Sequence, residues 1–306
     1  MTPGPELELA VERDLGRDRQ DDRGPRRDLS HTQEDSKEQA LFAILAGWPA
    51  VIVAYSGGVD SAYLAWAATR VLGRRALCIT ADSPSYPDRH RNLALETAAA
   101  FGFEHEIIHT NEMARPEYRA NPANRCYYCK HELYTHLSAI ARERGIPTIA
   151  DGSNADDRGD YRPGRQAARE FGVVSPLEAA DLTKAEIRAL SHRAGLPAWD
   201  EPASACLSSR IPYFSEVTDA KLRMIEQAET ILREHGFRVC RARHHGDADP
   251  LARLEIGRDE MARALEPDVA EAIDRALRAI GYRHVTIDLR GYRLGSLNDA
   301  LKLRPV

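Results

Sequence analysis

The chain has 306 residues and a formal net charge of −5 at pH 7, and its longest apolar runs fall short of the ~20 residues that cross a membrane. A hydrophobic content of 43% and a charged content of 29% favour a globular protein of up to two domains over a disordered or membrane chain. The acidic balance predicts no nucleic-acid partner. Five cysteines without a secretory signal favour a reducing, cytoplasmic location over a disulfide framework.

The first 37 residues differ in composition from the rest of the chain. They mix acidic and basic side chains and contain few apolar residues. So much acid argues against a transit peptide, and the lack of an apolar segment argues against a signal peptide. We therefore predict that residues 1–37 form a disordered charged arm.

Strand-like and helix-like patterns alternate from residue 38 to residue 197. The predicted helices cover 38–47, 61–72, 88–101 and 124–144, with another opened by the capping box Thr183-Lys184-Ala185-Glu186. The predicted strands cover 51–55, 76–81, 104–109, 148–151 and 173–176. This alternation predicts an α/β domain with a doubly wound, Rossmann-like parallel sheet. Ligands bind such sheets at the carboxyl ends of the strands.

Residues 198–214 are rich in proline and serine, which predicts an inter-domain loop. Beyond this loop, helical patterns cover 218–235 and 259–280, and strand patterns cover 238–243, 252–256 and 284–289. We therefore predict that residues 215–306 form a smaller α+β domain that binds substrate and contributes to oligomer contacts.

The first predicted strand runs directly into Ser56-Gly57-Gly58-Val59-Asp60-Ser61. Two glycines let the backbone approach a ligand closely, and the positive end of the next helix faces the same turn. The serine hydroxyls add donors, and Asp60 can hold Mg²⁺ or orient the loop. The pattern differs from the Gly-x-x-x-x-Gly-Lys-Ser/Thr and Gly-x-Gly-x-x-Gly motifs. It predicts a phosphate-binding turn, and the alternative is a tight turn without a ligand.

Cys126 and Cys129 form a Cys-x-x-Cys pair, and Cys206 lies in the polar loop near Arg210. The pair alone is compatible with a redox dithiol, half a zinc site or cluster ligands. A cationic neighbour favours the thiolate form of a cysteine. Three thiolates could hold three irons of a [4Fe–4S] cluster, or a Zn²⁺ ion with a fourth ligand. The spacing leaves these alternatives open.

Two arginines of the second domain, Arg241 and Arg243, are two residues apart in a predicted strand and so project from one face. Planar guanidinium groups suit a phosphate because they bind its oxygens bidentately. By pattern alone, a solvated strand face is the simpler interpretation, and Glu229 and Glu255 have the same status.

Residues 56–61 resemble the pyrophosphate loop of the PP-loop (N-type ATP pyrophosphatase) superfamily, which includes GMP synthetase, NAD synthetase and tRNA-thiolating enzymes. Further stretches resemble the LarE family within it, namely residues 124–130, 160–165, 206–213, 226–229 and 241–243. The resemblance covers about residues 38–303. The loop is evidence for the superfamily, whereas the segments 160–165 and 206–213 are specific to the family.

The LarE family consists of sulfur transferases that help to build the nickel-pincer cofactor of lactate racemase. The resemblance implies that ATP with Mg²⁺ adenylylates the carboxylates of a pyridinium-3,5-biscarboxylic acid mononucleotide and releases pyrophosphate. A sulfur nucleophile then converts each acyl adenylate to a thiocarboxylate.

The resemblance also assigns roles to residues of this chain. It implies that Cys206, Asp60 and Arg210 are catalytic, with Arg210 near the sulfur. The ATP-binding residues would be Ser56, Gly57, Gly58, Val59, Asp60 and Ser61. The substrate phosphate would be held by Arg241 and Arg243, with Glu229 and Glu255 lining the site.

The sulfur source divides the family. In one branch a single cysteine, at the position matching Cys206, gives up its own sulfur and leaves dehydroalanine. That branch lacks cysteines matching Cys126 and Cys129. Because this chain has all three, the resemblance implies the branch in which they hold a [4Fe–4S] cluster and a sulfide on its open iron is transferred. Sacrifice of Cys206 stays as the alternative.

The resemblance implies a homo-oligomer, commonly a hexamer in the family, and a sulfide donor protein as a further partner. Three other functions compete with this interpretation. The first is a tRNA thiolase or an amidotransferase-fed ligase, although we expect no RNA-binding or glutaminase domain. The others are a nucleotide-binding regulator without turnover and a zinc-binding structural module.

Overall fold

The computed structural model describes residues 29–158, 163–202, 205–293 and 296. The N-terminal part alternates strands and helices as predicted. Its strands are β1 (Val51–Ala54), β2 (Ala76–Asp82), β3 (Glu104–His109) and β4 (Thr148–Ala150). Its helices are α1 (Leu29–Ala46), α2 (Val59–Leu72), α3 (Asp88–Phe101), α4 (Pro116–Arg119), α5 (Arg125–Arg144), α6 (Pro163–Glu170), α7 (Pro176–Ala179) and α8 (Lys184–Arg193).

The four strands form a parallel sheet in the order β3-β2-β1-β4. The order reverses at β1, so the loops that follow β1 and β4 border a crevice at the carboxyl edge of the sheet. This confirms the predicted doubly wound α/β fold.

The predicted fifth strand, residues 173–176, is wrong. Val174 forms only an isolated bridge to Ala150. Pro176 then takes the first position of α7. Proline has no N–H group to donate to a neighbouring strand, and its fixed φ suits the start of a helix.

Alternate residues of β1 face two separate apolar layers. Val51 and Val53 pack with residues of α1, α2 and α8. Ile52 and Ala54 pack on the opposite face with residues of α5 and α6. Burial on both faces explains why the strand is apolar throughout.

The C-terminal part contains α9 (Asp219–Glu234), β5 (Cys240–His245), β6 (Leu251–Ile256), α10 (Met261–Ala264), α11 (Pro267–Ile280) and β7 (His284–Ile287). Strand β6 pairs antiparallel with β5 and parallel with β7. One face of this mixed sheet packs against α9 and α11 through an apolar cluster that includes Ala242 and Leu254. The predicted continuous helix over 259–280 is wrong, because Pro267 begins a new helix.

The link between the two sheets is less irregular than predicted. Residues 198–214 overlap two short 3-10 turns, Pro197–Asp200 and Leu207–Arg210. Among the residues described, no helix is long and apolar enough to span a membrane.

Helix α1 corrects the predicted boundary of the charged arm, since residues 29–37 are helical rather than disordered. Arg193 of α8 donates a hydrogen bond to Asp35 at 2.7 Å. Lys37 donates to Glu186 at 3.0 Å. Two charged side chains of this segment thus pair with α8, and the Lys37–Glu186 pair is largely buried. The remainder of the predicted arm, residues 1–28, lies outside the described residues.

We expect Ile52→Ala to lower the free energy of unfolding by about 2–5 kcal/mol, because it leaves a cavity between β1 and α5. Ile52 is 0% exposed. Urea denaturation followed by circular dichroism measures the change. The control Leu289→Ala, at a side chain that is 88% exposed, should change stability by less than about 0.5 kcal/mol. Equal effects of the two substitutions would contradict the described packing.

Candidate functional site

Residues 56–61, which we call the glycine turn, follow β1 and lead into α2. The Ser61 Oγ accepts a hydrogen bond from the backbone N–H of Ser56 at 3.1 Å and donates to the Gly58 carbonyl at 3.0 Å. Gly57 has φ +67°, and a Cβ there would lie 2.9 Å from the Cβ of Ala94. Only glycine therefore fits this position without strain.

A second loop, residues 151–154 after β4, packs against the glycine turn. A Cβ on Gly152 would lie 2.9 Å from the backbone N of Ser61. Asp151 accepts hydrogen bonds from the Tyr134 hydroxyl at 3.1 Å and from the Ser175 hydroxyl at 2.8 Å. No motif described above predicted a role for this loop. The sequence Asp151-Gly152-Ser153-Asn154 at the end of a predicted parallel strand is the signal that could have found it.

The Asp60 carboxylate lies between these two loops and the start of α8. The Lys184 ammonium contacts its Oδ2 atom. The Asn154 amide donates to its Oδ1 atom at 3.2 Å. The predicted capping box of α8 is confirmed, because the side chains of Thr183 and Glu186 each accept a hydrogen bond from the other's backbone N–H.

The thiols of Cys126, Cys129 and Cys206 interact electrostatically. Burial is the main cause that raises the pKa of Cys126, and negative charge on Cys206 raises it further. Burial also raises the pKa of Cys129, with contributions from Glu112 and then from both other cysteines. Cys129 also packs against an apolar cluster that contains Leu207, the residue after Cys206, so these two segments lie in the same part of the protein, which we call the thiol region. Cys126 itself is exposed, whereas Cys129 and Cys206 are half-buried.

Arg125 is a buried cation beside these thiols, and Lys130 is a second cation there. Burial lowers the pKa of Arg125, but interactions with the neighbouring thiols and with Tyr118 and Tyr213 outweigh burial and leave the pKa raised. Within the described ranges, no three His, Cys, Asp or Glu side chains are grouped so that they could hold a metal ion. A single Zn²⁺ needs its ligands to converge on one point, whereas the cysteines of a [4Fe–4S] cluster bind separate irons.

The two remaining cysteines, Cys78 and Cys240, are buried in the apolar layers of β2 and β5. They belong to the packing of the two sheets rather than to the thiol region.

Residues 205–212, the Cys206 segment, are held by a buried ion pair. Arg210 donates to both carboxylate oxygens of Glu229, through Nε at 2.8 Å and Nη2 at 3.0 Å. Its Nη1 donates to the Ala205 carbonyl at 2.6 Å and to the Cys206 carbonyl at 3.0 Å. Arg210 thus holds the backbone around Cys206. These contacts support a positioning role, and its predicted catalytic role stays a prediction.

Glu229 is 0% exposed and ionised. Burial alone would raise its pKa, but Arg210, then Arg241 and Arg233, outweigh burial and hold the pKa at about 2. Its oxygens also accept from Arg233 at 2.9 Å and from the backbone N–H of Ala242 at 3.3 Å. Glu229 therefore serves as a counterion inside the protein, and its predicted contact with substrate stays a prediction.

Other contacts hold the Cys206 segment from both halves of the chain. The Tyr118 hydroxyl lies 2.6 Å from the Ser208 hydroxyl, and Arg125 donates to the Ser208 carbonyl at 3.0 Å. The buried Asn121 side chain donates to the Pro212 carbonyl at 2.8 Å. Sequence reasoning missed these anchors, because each depends on contacts about 80 to 90 residues away in the chain.

The loop after β2 connects the glycine turn to the Cys206 segment. The Tyr86 hydroxyl donates to the Ser56 carbonyl at 3.0 Å. The adjacent Ser85 carbonyl accepts from the backbone N–H of Leu207 at 2.8 Å. Ser85 and Tyr86 therefore link the glycine turn to the residue that follows Cys206.

Arg241 and Arg243 lie on the face of β5 opposite the apolar cluster. They are 8% and 6% exposed, so the solvated-face interpretation is wrong. Arg243 donates to the Ser209 carbonyl at 2.6 Å and to Glu255 at 2.9 Å. Its Nε is buried without a hydrogen-bond partner among the described residues.

Glu255 is a second buried counterion. It is 0% exposed and also accepts a hydrogen bond from Arg253 at 3.2 Å. As for Glu229, the predicted contact of Glu255 with substrate stays a prediction.

In the family-specific stretch 160–165, residues 160–162 lie outside the described residues. Arg165, which is described, donates to Glu178 at 2.9 Å.

Comparison with known proteins identifies relatives over most of the chain. No family model matches it. The chain is 42% identical over 267 residues to an uncharacterised protein of Synechocystis sp., covering 87% of this chain and 98% of that protein. It is 34% identical over 267 residues to the pyridinium-3,5-bisthiocarboxylic acid mononucleotide synthase of Lactiplantibacillus plantarum, covering 87% and 95%. A GMP synthase of Staphylococcus epidermidis is 25% identical over 208 residues, covering 60% of this chain and 39% of that enzyme.

We expect Glu229→Gln to flatten the acid dependence of stability. The folded pKa of Glu229 is about 2 and its ordinary value is 4.5, so its contribution is complete above pH 4.5 and is lost as the pH falls toward 2. Between pH 6 and pH 3 the wild type should lose roughly 2 kcal/mol more unfolding free energy than the variant.

Urea denaturation at the two pH values measures this difference. Glu234→Gln, at an exposed position of the same helix, should follow the wild type. Parallel pH profiles for wild type and Glu229→Gln would show that the ion pair does not hold the carboxylate ionised.

Proposed function

This chain belongs to the LarE family of the PP-loop superfamily, and we propose that it is an ATP-dependent sulfur transferase acting on a pyridinium-3,5-biscarboxylic acid mononucleotide. Its carboxylates would be adenylylated and then converted to thiocarboxylates. The observation that carries the proposal is the Ser85–Tyr86 bridge, which contacts the glycine turn on one side and the Cys206 segment on the other.

The first step needs ATP at the glycine turn. A substrate carboxylate oxygen attacks the α-phosphorus, and the bond to the pyrophosphate oxygen breaks. Backbone N–H groups of Gly57 and Gly58 and the N-terminus of α2 would stabilise the negative charge of the departing pyrophosphate. The oxygen ligands of Asp60 fit Mg²⁺, which would neutralise part of the same charge.

The second step needs a sulfur nucleophile near the acyl adenylate. The sulfur attacks the acyl carbon, AMP leaves, and a thiocarboxylate is formed. Adenylylation makes this attack possible because AMP is a far better leaving group than the oxide ion that a free carboxylate would have to expel. The contacts of Arg210 would fix Cys206 before substrate binds, which lowers the entropic cost of the encounter.

We propose that Cys126, Cys129 and Cys206 hold a [4Fe–4S] cluster. Three thiols with a buried arginine beside them fit the donor chemistry of an anionic iron–sulfur group. Cys126, Cys129 and Cys206 would hold three of its irons, and the cluster would supply a bound sulfide as the sulfur nucleophile. Direct sacrifice of the Cys206 sulfur is the alternative.

The substrate phosphate would bind at Arg241 and Arg243. The Nε of Arg243 supports this role because it has no hydrogen-bond partner among the described residues, and a buried donor without an acceptor costs stability until a ligand satisfies it. In this proposal ATP binds to residues 38–197, the Cys206 loop spans 198–214, and substrate binds to residues 215–306. A homo-oligomer and a sulfide donor protein stay predictions from the family.

We expect Asp60→Asn to reduce pyrophosphate release by about 10²-fold, because it removes the carboxylate that would hold Mg²⁺ beside the leaving group. An enzyme-coupled pyrophosphate assay with ATP and the mononucleotide measures the rate. Iron content after anaerobic reconstitution should equal that of the wild type. Undiminished pyrophosphate release in the variant would remove Asp60 from the first step.

We expect Cys126→Ala to abolish iron retention and multiple-turnover sulfur transfer, because it removes one of three cluster ligands. Iron analysis and product formation under anaerobic conditions measure both. Cys78→Ala is the matched control, since it removes a buried thiol outside the thiol region and should keep iron and turnover. Mass spectrometry after many cycles should show an intact Cys206, and loss of H₂S from that residue would select the sacrificial route instead.

A further inference from the structure

Glu112 is a buried side chain that holds the loop after β2. It begins the short 3-10 turn 112–114, which follows β3, and it is 1% exposed. Its Oε1 atom accepts hydrogen bonds from the hydroxyls of Ser83 at 2.7 Å and of Ser85 at 2.5 Å. Its Oε2 atom accepts from the Thr110 hydroxyl at 3.4 Å. Among the described residues, no lysine or arginine forms an ion pair with Glu112, so its hydrogen bonds come from hydroxyl groups.

The loop that Glu112 holds contacts both parts of the candidate site. The Ser85 carbonyl accepts a hydrogen bond from the backbone N–H of Leu207 at 2.8 Å, and Leu207 follows Cys206. The next residue of the loop, Tyr86, donates from its hydroxyl to the Ser56 carbonyl of the glycine turn at 3.0 Å. A side chain that fixes Ser85 therefore acts on the spacing between the glycine turn and the Cys206 segment.

The turn 112–114 also contacts the Cys206 segment through an apolar side chain. Met113 belongs to the cluster that contains Leu207 and Ile211, and Cys129 packs against the same cluster. Neighbouring residues of one short turn thus hold the Cys206 segment in two ways. Glu112 acts through the hydrogen bonds of the loop after β2, and Met113 acts by direct packing.

We propose that Glu112 is a positioning residue that couples adenylylation to sulfur transfer. It fixes Ser83 and Ser85, and this keeps the Cys206 segment close enough to the glycine turn for sulfur to reach the acyl adenylate before water does. This inference rests on the proposed function, because it requires an acyl adenylate at the glycine turn. When the loop is displaced, water attacks the acyl carbon instead, AMP leaves, and the free carboxylate is formed again.

The test measures two products from ATP and the mononucleotide. Pyrophosphate counts the acyl adenylates formed, and thiocarboxylate counts the sulfur transfers. Glu112→Met keeps the side-chain length and removes the acceptor. We expect the ratio of thiocarboxylate to pyrophosphate to fall about tenfold, because a shift of about 1 Å in a reacting group can cost up to about 10²-fold in rate. A smaller folded fraction would lower both products equally and leave this ratio unchanged.

Two further variants separate the hydrogen bonds from the charge. Glu112→Gln keeps an oxygen that can accept from both serine hydroxyls, so its ratio should stay within about threefold of the wild type. The double variant Ser83→Ala/Ser85→Ala removes the donors and keeps Glu112, and its ratio should fall as in Glu112→Met. Equal losses in Glu112→Gln and Glu112→Met would overturn the inference. Iron content of the double variant should equal that of the wild type, and its loss would also overturn the inference by assigning the effect to the cysteines.

Glu106→Met is the matched control, because Glu106 lies on β3 and pairs with Arg144 instead of the loop. Its product ratio should equal that of the wild type. Hydrogen exchange at the Leu207 amide tests the positioning without turnover, and Glu112→Met should speed it about tenfold. Unchanged exchange would overturn the inference and leave the proposed function standing. A wild type that releases no pyrophosphate with the mononucleotide would overturn the proposed function and the coupling role with it.

Discussion

The buried ion pair of Arg210 and Glu229 is the interaction on which the arrangement of the site depends. Both side chains are almost fully excluded from solvent. Removing charges from water is costly, and such a pair persists when its geometry satisfies the remaining hydrogen-bonding groups. Here the remaining nitrogen of Arg210, Nη1, donates hydrogen bonds to the carbonyls of Ala205 and Cys206. The ion pair therefore fixes the position of the Cys206 segment relative to α9.

The same segment is also tied to the first sheet, which brings two kinds of chemistry together. Ser85 and Tyr86 follow β2 at the carboxyl edge of the sheet, and they contact the Cys206 segment and the glycine turn respectively. A parallel sheet presents its strand ends along one edge, so loops from distant parts of the chain meet there. In the proposed reaction, ATP at the glycine turn and sulfur transfer at Cys206 would therefore both be served by this edge of the sheet.

Charged side chains near the glycine turn and on β5 are paired with charges of opposite sign. Asp60 contacts Lys184, and Arg243 contacts Glu255. Such pairing keeps charged groups stable in partly buried positions and holds them in defined orientations. An anionic ligand would enter a site whose cations are already placed, so little reorganisation is needed for binding.

The sequence by itself determined the features that depend on neighbouring residues. Short segments of sequence were enough to predict the glycine turn, the capping box of α8 and the alternation of strands and helices. Backbone conformation and apolar periodicity are local properties. Local patterns failed where one proline changed the outcome, as Pro176 did for the predicted fifth strand. The family resemblance added roles for individual residues that the patterns alone left open.

Only the tertiary structure decided which side chains pair. The sequence suggested Glu229 and Glu255 as ligand-binding groups, yet each is buried in an ion pair with an arginine. The Asp60–Lys184 contact joins residues 124 positions apart. No local pattern encodes such pairs, because they form only when packing excludes water and brings distant segments to the same edge of the sheet.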